Sequence, residues 1–282
     1  MILSRILIAI FSLCALPLAY AQAPAVEGKV DLSQWKGVHF FEGDGGNAVV
    51  RKFTEKGWVS GVIDKNGKII RELGVHRIDP PSEGMARIQI NGKWGAINKD
   101  GKLIIPTEWG TLYSFSEGYA VVEKGRKWGC LDKTGKVVIE LKWDRLEDFL
   151  EGFAVVTKNG KEGFIDKSGK VIVEPVWDRA RHFFQGVGAV ESDGKWGVVN
   201  KQGKLISKPQ WDNVGGCSEG FTIVEKGGVR GYINKEGKVI SKPQWETAGP
   251  FMDGIAPVRD LNGDWYEVDK NGKATPTGVN GE

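Results

Sequence analysis

The groups in this chain that could do chemistry are few, and most of them recur at a fixed period. Three histidines, His39, His76 and His182, could ligate a metal, but none stands in a ligating spacing such as two histidines four apart on a helix, so no metal site is expected. Asp64-Lys65-Asn66-Gly67 and Asp269-Lys270-Asn271-Gly272 open like a calcium loop. The long acidic loop and its closing glutamate are missing, and the same frame elsewhere reads Asn98-Lys99-Asp100-Gly101, which identifies hairpin turns. The carboxylates Glu83, Glu117, Glu151 and Glu219, and Asp144, Asp178 and Asp212, could be paired for glycoside hydrolysis. That reaction needs two carboxylates whose surroundings drive their pKa values apart, whereas a residue copied once per period meets the same surroundings each time. Capping turn amides and pairing with turn lysines is the expected role. Neither a phosphate-cradling Gly-x-x-x-x-Gly-Lys loop nor a dinucleotide fingerprint occurs. No catalytic residue and no cofactor is expected.

The period itself is the strongest signal. Trp94-Gly95 is followed 34 residues later by Trp128-Gly129, Gly163 and Gly231 stand at later steps of the same ladder, and Trp196-Gly197 lies between them. In the unit Ser116 to Phe149, Tyr119-Ala120-Val121-Val122 reads as a strand, and a turn at Lys124-Gly125 leads to a second strand, Lys127 to Asp132. The loop Lys133-Thr134-Gly135 places glycine third, where a positive φ is required, and Val137-Val138-Ile139 returns as a third strand. That glycine recurs at Gly67, Gly101, Gly169, Gly203, Gly237 and, after one insertion, Gly272. A second glycine ladder, Gly84, Gly118, Gly152, Gly186, Gly220 and Gly254, opens each first strand, usually after an acid. Trp109, Trp143, Trp177, Trp211 and Trp245 close the third strands, and each leads six residues on to Phe115, Phe149, Phe183, Cys217 or Phe251.

A lone three-stranded meander has too little core to offset its chain entropy, so neighbours must cover it, and each tryptophan can bury about 200 Å² in a layer between them. The predicted architecture is therefore all-β, with about seven tandem three-stranded β-meander repeats of 34 residues. The units fall near residues 44–81, 82–115, 116–149, 150–183, 184–217, 218–251 and 252–273, with 29–41 completing the last. A propeller-like ring removes sheet edges by closure, and an open twisted β-solenoid is the alternative. The Gly-Lys-Trp-Gly-x-Ile-Asn-Lys-x-Gly-Lys string around Lys93 to Lys102, the Asn/Asp-Lys-x-Gly-Lys turns and openings such as Glu117-Gly118-Tyr119-Ala120 resemble the bacterial WG-repeat family. Departures are Glu162, Arg230 and Ser60, each standing where the motif has tryptophan. The resemblance implies a non-catalytic repeat protein, often exported, with no general biochemical activity attached to the repeat.

Arg5 followed by the apolar run Ile6 to Leu18 and by Ala19-Tyr20-Ala21 has the form of a secretory signal peptide over residues 1–21, leaving 22–282 as one exported repeat domain. No other window nears the roughly 18 apolar residues of a membrane span. Removing Arg5 lowers the formal net charge from +3 to +2, too small a field to drive binding to nucleic acid or an acidic membrane. Cys130 and Cys217 fill apolar slots of the repeat and are expected to stay unpaired with each other. Candidates for ligand recognition are the residues that break the repeat: Trp58, His39 and Phe40 (beside Phe41), Arg181 and His182, and Trp265 and Tyr266. The expected function is an exported scaffold or binding module presenting loops to a protein, a peptide or a cell-envelope polysaccharide. A polysaccharide-active enzyme with a site at irregular repeats, or a purely structural envelope protein, are the alternatives.

Overall fold

The computed structural model describes residues 35–41, 46–55, 57–75 and 77–277. The leader assigned to 1–21, residues 29–34 and His76 lie outside them. The architecture is all-β: the described residues hold no helix, and their strands form seven open antiparallel sheets, each of four strands in sequence order. They divide into two compact units at the end of the third sheet, between Lys142 and Trp143.

The fifth sheet shows how one period is laid out. Its strands are Arg179–Phe184, Val187–Ser192, Lys195–Asn200 and Leu205–Trp211. The last three are the expected meander. The first adds a strand to the three expected, and it comes from the segment between one third-strand tryptophan and the next aromatic slot. In the third sheet this strand is only Thr111–Leu112, too short for any alternating pattern, yet Val122 pairs with Leu112 and Glu123 with Thr111. Each period thus contributes three strands to one sheet and one to the next. The first sheet opens with Lys36–Phe40, flanked by buried Trp35 and Phe41, and the seventh ends with Ala274–Pro276.

The Trp-Gly step is a packing device. In the fifth sheet Trp196 pairs with Trp211 and Val198 with Ser207, so Gly197 alone faces the three residues Lys208, Pro209 and Gln210 of a bulge. A Cβ on Gly197 would sit 2.7 Å from Ser207 O and 3.0 Å from Pro209 N; on Gly95 it would sit 2.5 Å from Ile105 O. Glycine is needed there for closeness, since its φ is not left-handed. Proline fits the bulge because that residue makes no ladder hydrogen bond. The hairpin glycine, by contrast, is required by its φ, +85° at Gly135.

The core lies in layers between consecutive sheets of each unit. Trp109, Ile105 and Ala96 of the second sheet meet Leu112, Phe115, Val122 and Leu131 of the third. Trp211 and Val198 of the fifth meet Val214, Val224 and Ile233 of the sixth. Buried hydroxyls serve two of the indoles: Trp211 Nε1 donates to Ser207 Oγ at 2.8 Å and Trp245 Nε1 to Ser241 Oγ at 2.9 Å. Cys130 and Cys217 are buried and form no disulfide. Trp143 is 2% exposed, so Trp143→Ala is expected to cost about 3–5 kcal/mol, whereas Leu261→Ala, at 72% exposure, should stay within about 0.5 kcal/mol. Urea unfolding followed by far-ultraviolet circular dichroism measures both.

Candidate functional site

The first sheet gathers the first group of candidate residues around one that the sequence did not single out. Arg51 pairs across the sheet with Ser60, which replaces the motif tryptophan and is buried with its Oγ donating to Val75 O at 2.9 Å. Two residues earlier on the same strand face stands Trp58, and the Arg51 guanidinium lies 4.8 Å from its ring centroid. Phe53, opposite Trp58, meets it edge-on at 5.4 Å and is 65% exposed. His39 reaches the same place: its Nε2 and the Arg51 Nε both lie within 4 Å of where a Gly37 Cβ would be. Burial, then the Arg51 charge, holds the His39 pKa below the ordinary histidine value. Phe40 instead packs with Trp35, Val38, Ala48, Val50 and Ile63. The outcome is an exposed Phe53 beside a half-buried Trp58, with a cationic back made by Arg51.

The other candidates are not brought together. Arg181 joins the fifth sheet to the sixth, with Nη1 donating to Asn213 Oδ1 and Val214 O at 2.9 and 3.0 Å and its guanidinium 3.8 Å from the Trp196 ring centroid. His182 Nε2 lies 2.9 Å from Glu147 Oε2, a residue of the fourth sheet's first-strand segment. Tyr266 packs on Trp245 at 5.4 Å, and burial followed by the charges of Asp260 and Asp264 raises its pKa. Trp265, its neighbour, is 44% exposed. Gly216-Cys217-Ser218-Glu219-Gly220 has the Gly-x-Ser-x-Gly spacing of a nucleophile elbow. It ends a strand and enters a two-residue turn, and Ser218 Oγ donates to Phe251 O at 2.6 Å, as Ser82 Oγ does to Phe115 O at 2.7 Å, so this serine has the repeat's ordinary role.

The periodic carboxylates staple turns. Glu83 (φ 49°) and Gly84 occupy the two central positions of a tight hairpin turn closed by reciprocal Ser82–Met85 bonds. The Glu83 carboxylate accepts from Gly118 N in the next such turn at 2.9 Å and pairs with Lys133 Nζ at 3.1 Å. Glu151 does the same with Gly186 N and Lys201, and Glu219 with Gly254 N and Lys270. Asp144, Asp178 and Asp212 accept from Asn159 N, Asp193 N and Gly227 N, and the last two also pair with Lys161 and Lys195. Asp64 Oδ1 and Asp269 Oδ1 accept the amides of their own turns, Asn66 and Lys68, and Asn271 and Lys273.

At Glu83 and Glu151 burial works against ionisation, but the lysine and the turn amides outweigh it and hold the carboxyls below the ordinary range. At Glu219 the Lys270 ammonium leads, and at Asp178 and Asp212 the Lys161 and Lys195 ammoniums do. A carboxyl whose folded pKa is depressed contributes stability that is present above its unfolded pKa and is lost as pH falls through the folded one. Melting temperature is therefore expected to hold from pH 8 to about 5 and to drop below about pH 4. Glu151→Gln should melt a few degrees lower at pH 7 and fall less steeply with acid. Thermal melts across that pH range read both effects, and an unchanged acid slope in the variant would remove Glu151 from the explanation.

Comparison with known proteins places this geometry. The family model for the WG containing repeat matches residues 61–94, 94–128, 128–161, 163–196, 196–229 and 231–265, so that the matched segments mostly run from one Trp-Gly position to the next. No curated protein matches the sequence. Among solved structures, the chain is similar at low identity to BamB from Moraxella catarrhalis (12% identity, TM-score 0.34, covering 80% of this chain and 82% of that one). It is also similar to a eukaryotic initiation factor (9%, 0.38, 90% and 88%) and to Hsv2 from Kluyveromyces lactis (10%, 0.35, 70% and 76%). With six tandem matches covering most of its length, the chain belongs to the WG containing repeat family.

Proposed function

We propose that the protein is an exported, non-catalytic repeat scaffold that binds a protein, a peptide or an envelope polysaccharide through the irregular first sheet. The observation that carries this reading is the Phe53–Trp58 pair with Arg51 packed on the indole. A large apolar ring left in water at the place where the repeat loses its motif tryptophan has no role in the core, while aromatic faces stack well on sugar rings and peptide side chains. Arg51 adds a charge that selects partners with acceptor groups nearby. Export is supported by the Arg5, Ile6–Leu18 and Ala19-Tyr20-Ala21 pattern. A non-catalytic role is supported by the periodic carboxylates, whose pKa values move down together where a general acid needs one moved up. No cofactor is invoked, and among the described residues no helix is long and apolar enough to cross a membrane.

The test is a pull-down from cell-envelope extracts and sedimentation with purified envelope polysaccharide, comparing the wild type with Phe53→Ala/Trp58→Ala. Retention should fall about tenfold or more in the double variant while its melting temperature shifts by only a few degrees. Equal retention by both proteins would move the binding surface elsewhere, and release of hydrolysed sugar from the polysaccharide would replace the scaffold with an enzyme.

A further inference from the structure

The glutamate staple is broken at one described step, and a second irregularity coincides with it. Between the fifth and sixth sheets the turn residue is Gln185, which keeps the same left-handed backbone (φ 46°) but carries no charge. Lys235 stands at the position held by Lys133, Lys201 and Lys270 in the staples, and among the described residues it has no carboxylate partner. Gly220 stands where Gly118, Gly186 and Gly254 donate to glutamate. The aromatic slot of the same step, filled by Phe115, Phe149, Phe183 and Phe251 elsewhere, holds Cys217. Replacing a benzyl group by a thiol leaves room. A cavity of about 470 Å³ opens there, lined by Gln185, Lys204, Ile206, Cys217, Gly220 and Lys235 among others.

What the step lacks defines what would fill it. The neighbouring steps hold a carboxylate against a lysine and a turn glycine, with an aromatic ring beneath. Here the carboxylate and the ring are both absent while the lysine remains, and the Gly220 amide is hydrogen-bonded to the Cys217 side chain instead of a glutamate. Lys201, at the rim, is already neutralised by Glu151, so Lys204 and Lys235 set the local charge against Glu236. The floor is apolar: burial pushes the Cys217 thiol pKa up, so the group stays protonated and acts as a small hydrophobe, with its S–H directed to Gln185 O at 3.9 Å.

We propose that this cavity binds a small monocarboxylate bearing a short apolar group, its carboxylate taking the position of the missing staple on Lys235 and its apolar part lying on Cys217 and Ile206. A free branched short-chain acid and the C-terminal residue of a peptide share that chemistry. The site goes beyond the scaffold reading and depends neither on export nor on the first-sheet patch.

Isothermal titration of the purified protein with 3-methylbutanoate and with N-acetyl-alanyl-valine, each beside its neutral amide, tests the proposal. Both carboxylates, or one of them, should bind at a single site with a Kd on the order of 1 mM, and the amides should not. Binding only by the dipeptide identifies the source as a peptide end, and binding only by the free acid identifies a small metabolite. Lys235→Met should weaken binding at least tenfold. Gln185→Glu should abolish it, because the restored carboxylate occupies the site, and should also raise the melting temperature, so that its loss of binding cannot be unfolding. No saturation by either acid at 50-fold above the expected Kd, equal binding of acid and amide, or unchanged binding in both variants would overturn the assignment.

Discussion

One close approach organises the second, fourth, fifth and sixth sheets: the third strand of the meander bulges over a glycine that has no Cβ to resist it. Three residues of the bulge are accommodated opposite Gly197, and the backbone oxygen of Ser207 passes through space that any side chain would occupy. The bulge has two consequences. It brings the third-strand tryptophan level with the motif position, Trp109 opposite Trp94 and Trp211 opposite Trp196, and it turns the chain toward its next sheet. From there the next segment starts the following sheet as its first strand, and the tryptophan is enclosed in the layer between the two. In these sheets local backbone geometry, register and core packing thus rest on one missing methyl group.

Polar groups of the repeat are used up in the same way. Turn asparagines and aspartates hold their own turn amides, the aspartates after the third-strand tryptophan hold a hairpin in the next sheet, and the glutamates bridge successive tight turns. Each non-glycine φ near +50° at Glu83, Glu151 and Glu219 costs conformational energy, offset by a charge-assisted bond that only that turn geometry allows. A residue so committed in every period is poorly placed for chemistry. Chemical freedom therefore collects where the repeat fails, as at Ser60, Gln185 and Cys217.

Much of this was legible in the sequence. Hairpin glycines, strand order and the tryptophan ladder, buried at Trp109, Trp143, Trp211 and Trp245 and partly buried at Trp177, follow from periodicity and turn chemistry, since each depends on residues close in the chain. The additional strand of each sheet was not legible, because a two-residue pairing such as Thr111–Leu112 leaves no pattern. Nor was the reason for the Trp-Gly glycine, which is set by a strand ten residues away. Among the candidates, adjacency misled: Arg181 and His182 are consecutive but serve different sheets, whereas His39 and Trp58, far apart in sequence, meet around Arg51. The cavity beside Cys217 could have been found by reading the ladders against one another, for Gln185 and Cys217 interrupt two of them at the same step.

The most direct measurement compares two glycines of consecutive sheets by urea unfolding. Gly197 lies under the bulge, while a Cβ at Gly216 would meet open space and its backbone conformation is not left-handed. Gly197→Ala is expected to lose about 1–3 kcal/mol or more, and Gly216→Ala to stay within about 0.5 kcal/mol of wild type. Equal unfolding midpoints for the two variants would contradict the role given to the motif glycine.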